Sequence, residues 1–104
     1  MIIGQVMGSV IATRKHEKLT GSKFLVVMPL DTDNPACLVA VDRIGAGAGE
    51  RVLVARGGAA RLACGAADMP VDAAVVGIID EGSYTMNAEP KTRSQPAEPC
   101  ASAN

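Results

Sequence analysis

Tryptophan is absent from this 104-residue chain, and Phe24 and Tyr84 are its only aromatic residues. A surface that stacks successive bases needs several aromatic rings. The formal net charge is −1, so the basic footprint of a nucleic-acid binder is missing as well. Histidine occurs once, as His16, among Arg14, Lys15 and Lys18. No Ser-His-Asp arrangement can be built around it from sequence, and a solvated turn is its expected place. The three cysteines, Cys37, Cys64 and Cys100, are widely spaced and form no C-x-x-C pair. Their odd number makes no closed disulfide set. Two of them are expected as small buried hydrophobes and the third as a tail thiol. No apolar run approaches the ~18 residues of a membrane span. The first residues lack the charged segment and cleavage site of a secretory signal, which points to a cytoplasmic protein without a membrane or nucleic-acid partner.

Carboxylates are present but scattered. Asp31, Asp33, Asp42, Asp68, Asp72 and Asp80 fall at strand ends or in turns, where Asp accepts backbone hydrogen bonds. No pair of them stands out as an acid and its base. The expectation is a protein that is not an enzyme, with no cofactor and no metal site.

What the chain does have is strand signal. Residues 2–12 are apolar and β-branched, broken by Gly4 and Gly8, and a charged turn at 14–18 follows. Residues 23–30 form a second strand, in which Pro29 marks an edge, a bulge or the strand end. Residues 31–35 read as a polar turn, 37–44 as a third strand and 51–56 as a fourth. After Gly57-Gly58, residues 59–64 suit one or two helical turns with Gly65 as the stop. Residues 73–79 form a fifth strand, ended by Asp80-Glu81-Gly82. Five short strands with one helical turn predict an all-β fold, a small OB-like barrel.

The run between the third and fourth strands carries glycine at positions 45, 47 and 49. A phosphate cradle needs G-x-G-x-x-G or a Lys-Ser/Thr ending, with a helix N-terminus behind it. Here the spacing is G-x-G-x-G and a strand follows. The simpler reading is a glycine-rich connection between two antiparallel strands. Asp42-Arg43 and Glu50-Arg51 flank it, and Arg61 follows a flexible stretch. Each is either a solvated charge or part of an ion pair between subunits.

Several strands are apolar on both faces. Phe24, Val26 and Met28 alternate with Leu25 and Val27, and Val76 and Ile78 oppose Val75 and Ile79. A lone small barrel alternates apolar-in with polar-out. With no amphipathic helix to cover the second face, another subunit is expected there. From about residue 85 the composition turns to Pro, Ser, Ala, Lys and Glu. Such a segment cannot offset its ordering entropy. The expected organisation is a barrel domain over 1–84 and a disordered tail over 85–104.

The body of the chain resembles the EutN/CcmL family of bacterial microcompartment vertex proteins. The resemblance is carried by Ile3-Gly4-Gln5-Val6 with Gly8, Ala12-Thr13-Arg14-Lys15, and residues 19–27 leading to Pro29-Leu30-Asp31. It continues through Val39-Ala40-Val41-Asp42, the loop from Gly45 to Glu50, Val52-Leu53-Val54, Gly57-Gly58-Ala59-Ala60-Arg61 and residues 70–80. It implies a barrel that assembles into a cyclic pentamer. That ring is a structural vertex, closing a shell built with hexameric shell proteins around metabolic enzymes in the cytoplasm. The subunit interface, or a loop at the ring axis, is then expected at Asp42, Arg43, Gly45, Gly47, Gly49, Glu50, Arg51 and Arg61. Serines common in the family are replaced here by Gly58 and Ala59. The competing reading of the same barrel is an OB-like module for single-stranded nucleic acid.

Overall fold

The structure, a computed structural model, describes residues 1–30, 32, 33 and 36–80. Five strands close into a barrel: β1 (Ile2–Val10), β2 (Phe24–Pro29), β3 (Leu38–Asp42), β4 (Arg51–Arg56) and β5 (Ala73–Ile79). The order around the barrel is β1-β2-β3-β5-β4. One short helix, α1 (Gly58–Ala63), follows β4, and a 3-10 turn spans Glu17–Leu19. The expected strands are all present, the first three shortened at their ends. The charged-turn histidine caps the 3-10 turn: His16 Nδ1 accepts from the Lys18 N–H at 3.1 Å. The expected polar turn at 31–35 and the expected tail at 85–104 lie partly or wholly outside the described residues.

Neighbouring strands run antiparallel except β3 and β5, which are parallel and share only the pairs Val41↔Ala74 and Asp42↔Val75. β1 serves two neighbours. Its first half pairs with β4, from Ile2↔Val54 to Gln5↔Arg51. Nearly its whole length pairs with β2, with a bulge between Val6 and Gly8. A bulge bends a strand and raises its twist, which helps so small a sheet close on itself.

The core is made by alternate residues of all five strands: Val6, Leu25, Val27, Ala40, Val52, Val54, Ala73 and Val75. β-branched residues fit this pleated interior. Gly4 is obligatory in it: a Cβ there would run into the Val27 side chain and crowd the Met28 carbonyl.

The second apolar face is partly covered from within. Val41, Ala74 and Ala55 lie side by side across β3, β5 and β4, and all three are buried. α1 packs on β4 and β5, with Ala60 and then Met69 buried. The expectation that no helix covers that face is therefore corrected, because a six-residue helix suffices for a row containing two alanines. On the β2–β3 side, the paired Val26 and Val39 stay half-exposed to exposed. Ile11, Ile44, Leu62 and Ile78 are exposed too.

The cysteines depart from expectation. Cys64 is free but only half-buried, and Cys37, also half-buried, is disulfide-bonded. Neither is a core hydrophobe, because Cys37 precedes β3 and Cys64 ends α1, outside the alternating interior positions.

Candidate functional site

The glycine loop does not join adjacent strands. β5 lies between β3 and β4, so residues 43–50 cross the end of the barrel rather than forming a hairpin. Sequence alone suggested a hairpin because the partner that separates the two strands comes later in the chain.

Asp42 builds the first half of this loop. Its Oδ1 accepts from the N–H groups of Ile44 at 3.0 Å, Gly45 at 2.9 Å and Ala46 at 3.4 Å. Its Oδ2 lies 3.9 Å from Lys23 Nζ, and the side chain is 3% exposed. Burial pushes the carboxyl up, but the N–H groups of Gly45, Ile44 and Ala46 and the Lys23 charge together outweigh it and hold it below its ordinary value. The turn drives Ala46 into the barrel, where it is 1% exposed and joins the core. Gly45 has a φ of 98°, a conformation that favours glycine.

Glu50 builds the second half. Its Oε1 accepts from the Gly47 N–H at 2.5 Å, while its own N–H donates to the Gly47 carbonyl at 3.1 Å. Gly49, at φ 88°, donates to the Val6 carbonyl at 2.7 Å, and Val6 donates to Glu50 at 2.9 Å. Gln5 Nε2 reaches the Gly49 carbonyl at 3.3 Å. The N–H groups of Ile44, Gly45, Ala46, Gly47 and Gly49 are thus all engaged by the chain's own acceptors. An anion cradle requires such groups to point at a ligand. Here the carboxylates of Asp42 and Glu50 occupy that role.

The eight residues singled out from sequence come together only in part. Asp42, Arg43, Gly45, Gly47, Gly49, Glu50 and Arg51 share the loop and its two strand ends. Arg43 donates its backbone N–H to Val75 at 3.3 Å and exposes its side chain. Arg51 borders a cavity of about 370 Å³ with Gln5, Gly49, Glu50 and Asp80. Arg61 stands apart on α1, where its Nη1 donates to the Val71 carbonyl at 3.2 Å. Gln5, Lys23 and Ala46 were not singled out from sequence. Nothing in a strand glutamine or a strand-end lysine marks them, because their partners lie 44 and 19 positions away, and a loop alanine gives no sign that its turn will seat it in the core.

Among the described residues there is no group of three or more His, Cys, Asp or Glu arranged to hold a metal. No helix among them is long and apolar enough to cross a membrane.

The profile of the family described as "Ethanolamine utilisation protein EutN/carboxysome" matches residues 1–80, which include every strand and the loop. The carboxysome shell vertex protein CcmL of Thermosynechococcus vestitus is 51% identical over 83 residues, covering 77% of this chain and 84% of its own. The bacterial microcompartment shell vertex protein EutN of Escherichia coli is 43% identical over 84 residues, 78% of this chain and 88% of its own. Among solved structures, the GrpN pentameric microcompartment shell protein from Rhodospirillum rubrum superposes with a TM-score of 0.66 at 45% identity, over 77% of this chain and 95% of its own. With its strand order, its loop and residues 1–80 all accounted for, this chain belongs to the EutN/CcmL family.

Proposed function

We propose that this chain is a structural shell protein, not an enzyme, whose five copies form a ring at the vertices of a bacterial microcompartment in the cytoplasm. The observation that carries this reading is the family match over the entire barrel, residues 1–80, together with relatives named as shell vertex proteins and a pentameric one among the solved structures. The physical sense is geometric. A closed ring uses a heterologous interface, in which one face meets a different face of the next copy. The exposed Val39, Ile44, Leu62 and Ile78 provide apolar surface for it, toward the ~800 Å² per partner that stable interfaces bury.

Hexameric shell proteins are the proposed partners around the ring. Residues 1–84 are the proposed assembling domain, with 85–104 a tail that the ring does not require. Arg43, Gly45, Gly47, Gly49, Glu50 and Arg51 are proposed to lie where copies meet or near the ring axis. Asp42 holds their loop in shape, and Arg61 holds α1 against residue 71. Single-stranded nucleic acid finds no support: the charge is −1 and the relatives are shell proteins.

Native mass spectrometry of the full-length protein tests the reading. A five-copy species is expected; a stable monomer at micromolar concentration overturns it.

A further inference from the structure

We propose that the C-terminal segment is tethered to the outer face of the barrel by a bond from Cys100 to Cys37, and that it covers Met28 there. Two independent observations meet at this spot. The first is the burial of Met28. β2 sends Leu25 and Val27 into the core, so Met28 lies on the opposite, outward face with Val26. Val39, paired with Val26 on that face, is 50% exposed, yet Met28 is 1% exposed. Its described neighbours do not account for the difference. Gln5, opposite Met28 on β1, reaches to the Gly49 carbonyl, and α1 packs on β4 and β5.

The second observation is the state of the cysteines. Cys37 is disulfide-bonded, Cys64 is free, and the chain has three cysteines. Within one chain only Cys100 remains as the partner. The β2–β3 register, Val26↔Val39 and Val27↔Leu38, carried one residue further sets Cys37 opposite Met28. Directly opposed residues on one face of an antiparallel pair have Cβ atoms about 4.5–5.5 Å apart. A segment bonded to Cys37 therefore arrives beside Met28.

The chain is long enough to get there. It leaves β5 after Ile79. The pairs Arg51↔Ile79, Gln5↔Arg51 and Gln5↔Met28 set Ile79 and Met28 in one row around the barrel. Each step in that row is about 4.8 Å, whereas residues 80–100 extend by about 3.3 Å apiece. A composition that cannot fold by itself is no obstacle, because a covalent tether raises the effective concentration of the segment at the face. A second copy of the chain is the competing occupant.

The bond forms by thiol–disulfide exchange. A low-molecular-weight disulfide takes the two protons and two electrons of the cysteine thiols and leaves as two thiols. Disulfides in a reducing cytoplasm are generally reversible redox elements, so the cover over Met28 depends on the surrounding redox poise.

The test uses the full-length protein equilibrated with oxidised or with reduced glutathione. After oxidation, peptide mapping without reductant is expected to find Cys37 joined to Cys100 and Cys64 open to alkylation. Brief peroxide treatment then reads methionine exposure as sulfoxide. Met1, 76% exposed, reacts quickly in every sample, and Met69, 7% exposed, reacts slowly in every sample. Met28 is expected to react slowly in the oxidised protein, and roughly tenfold faster after reduction or in Cys100→Ser. The proposal is overturned if Cys37 and Cys100 both alkylate after oxidation, if Cys37 is found bonded to a second chain, or if Met28 reacts equally slowly in Cys100→Ser. Loss of Met28 protection on dilution, with the bond intact, assigns the cover to a second copy and overturns it too. The comparison of oxidised with reduced wild type holds even if the variant fails to fold. A monomer that forms the bond and protects Met28 refutes the ring and leaves this proposal standing.

Discussion

Asp42 accepts the backbone N–H of Gly45 at 2.9 Å, and with the bonds from Ile44 and Ala46 this contact turns the chain across the barrel end and seats Ala46 in the core. A loop rich in glycine and alanine has little side-chain packing of its own. Its shape comes from two carboxylates acting on its backbone, Asp42 and Glu50.

Removing the first carboxylate leaves three N–H groups without their acceptor. Asp42→Ala is expected to destabilise the subunit by about 1–3 kcal/mol, measured by urea unfolding. Asp42→Asn keeps one acceptor oxygen and costs less. Equal stability of Asp42→Ala and wild type would show that the loop is held by something else.

The same group sets an acid limit. Its carboxyl lies below the ordinary 3.8 in the folded protein. Stability from it is therefore fully present above that value and is lost as pH falls through the lower folded-state pKa. Melting temperatures followed downward from pH 5 are expected to drop less steeply for Asp42→Asn than for wild type.

The glycines separate fold from assembly. Gly4→Ala drives a methyl into Val27 and is expected to cost about 1–3 kcal/mol by overpacking. At Gly47 a Cβ meets only Glu50 Oε1, at 3.5 Å. Gly47→Val is accordingly expected to fold with a circular dichroism spectrum like wild type and yet fail to form the ring. A normal pentamer from that variant would remove Gly47 from the proposed contact.

Lys18 and Asp68 meet at 2.6 Å, with both side chains largely in solvent. The Lys18 hydrogen bond and charge lower the Asp68 carboxyl, but exposed pairs contribute little and are screened by salt. Asp68→Asn is expected to leave the melting temperature unchanged at physiological ionic strength. A clear drop there would mean that the pair is shielded, as by a neighbouring copy.

Truncation after residue 84 tests the proposed division of the chain. The shortened protein is expected to give the same oligomer as the full chain by native mass spectrometry, and dissociation would place assembly contacts in the tail.

Much was legible beforehand because it is local. Alternating charge and β-branched residues located β4, and a run of apolar β-branched residues located β5, each to the residue, while Gly65 placed the stop after Cys64. The ordered sequence blocks from Ile3 to Asp80 pointed to the family. The loop's failure as a phosphate cradle was readable from glycine spacing and the strand behind it. What was not legible depended on partners far along the chain. Three widely spaced cysteines, odd in number, gave no sign of a disulfide, and the structure gives Cys37 one.

The sequence by itself determined the strands and the short helix, since strand and turn signals are written in neighbouring residues; which of two apolar faces became the interior it left open. Only the tertiary structure decided that β5 inserts between β3 and β4, and that Asp42 and Glu50 turn their charges onto their own loop. Those outcomes depend on which distant strands meet and in what register, and hydrogen-bond partners 40 or so residues apart leave no mark in local composition.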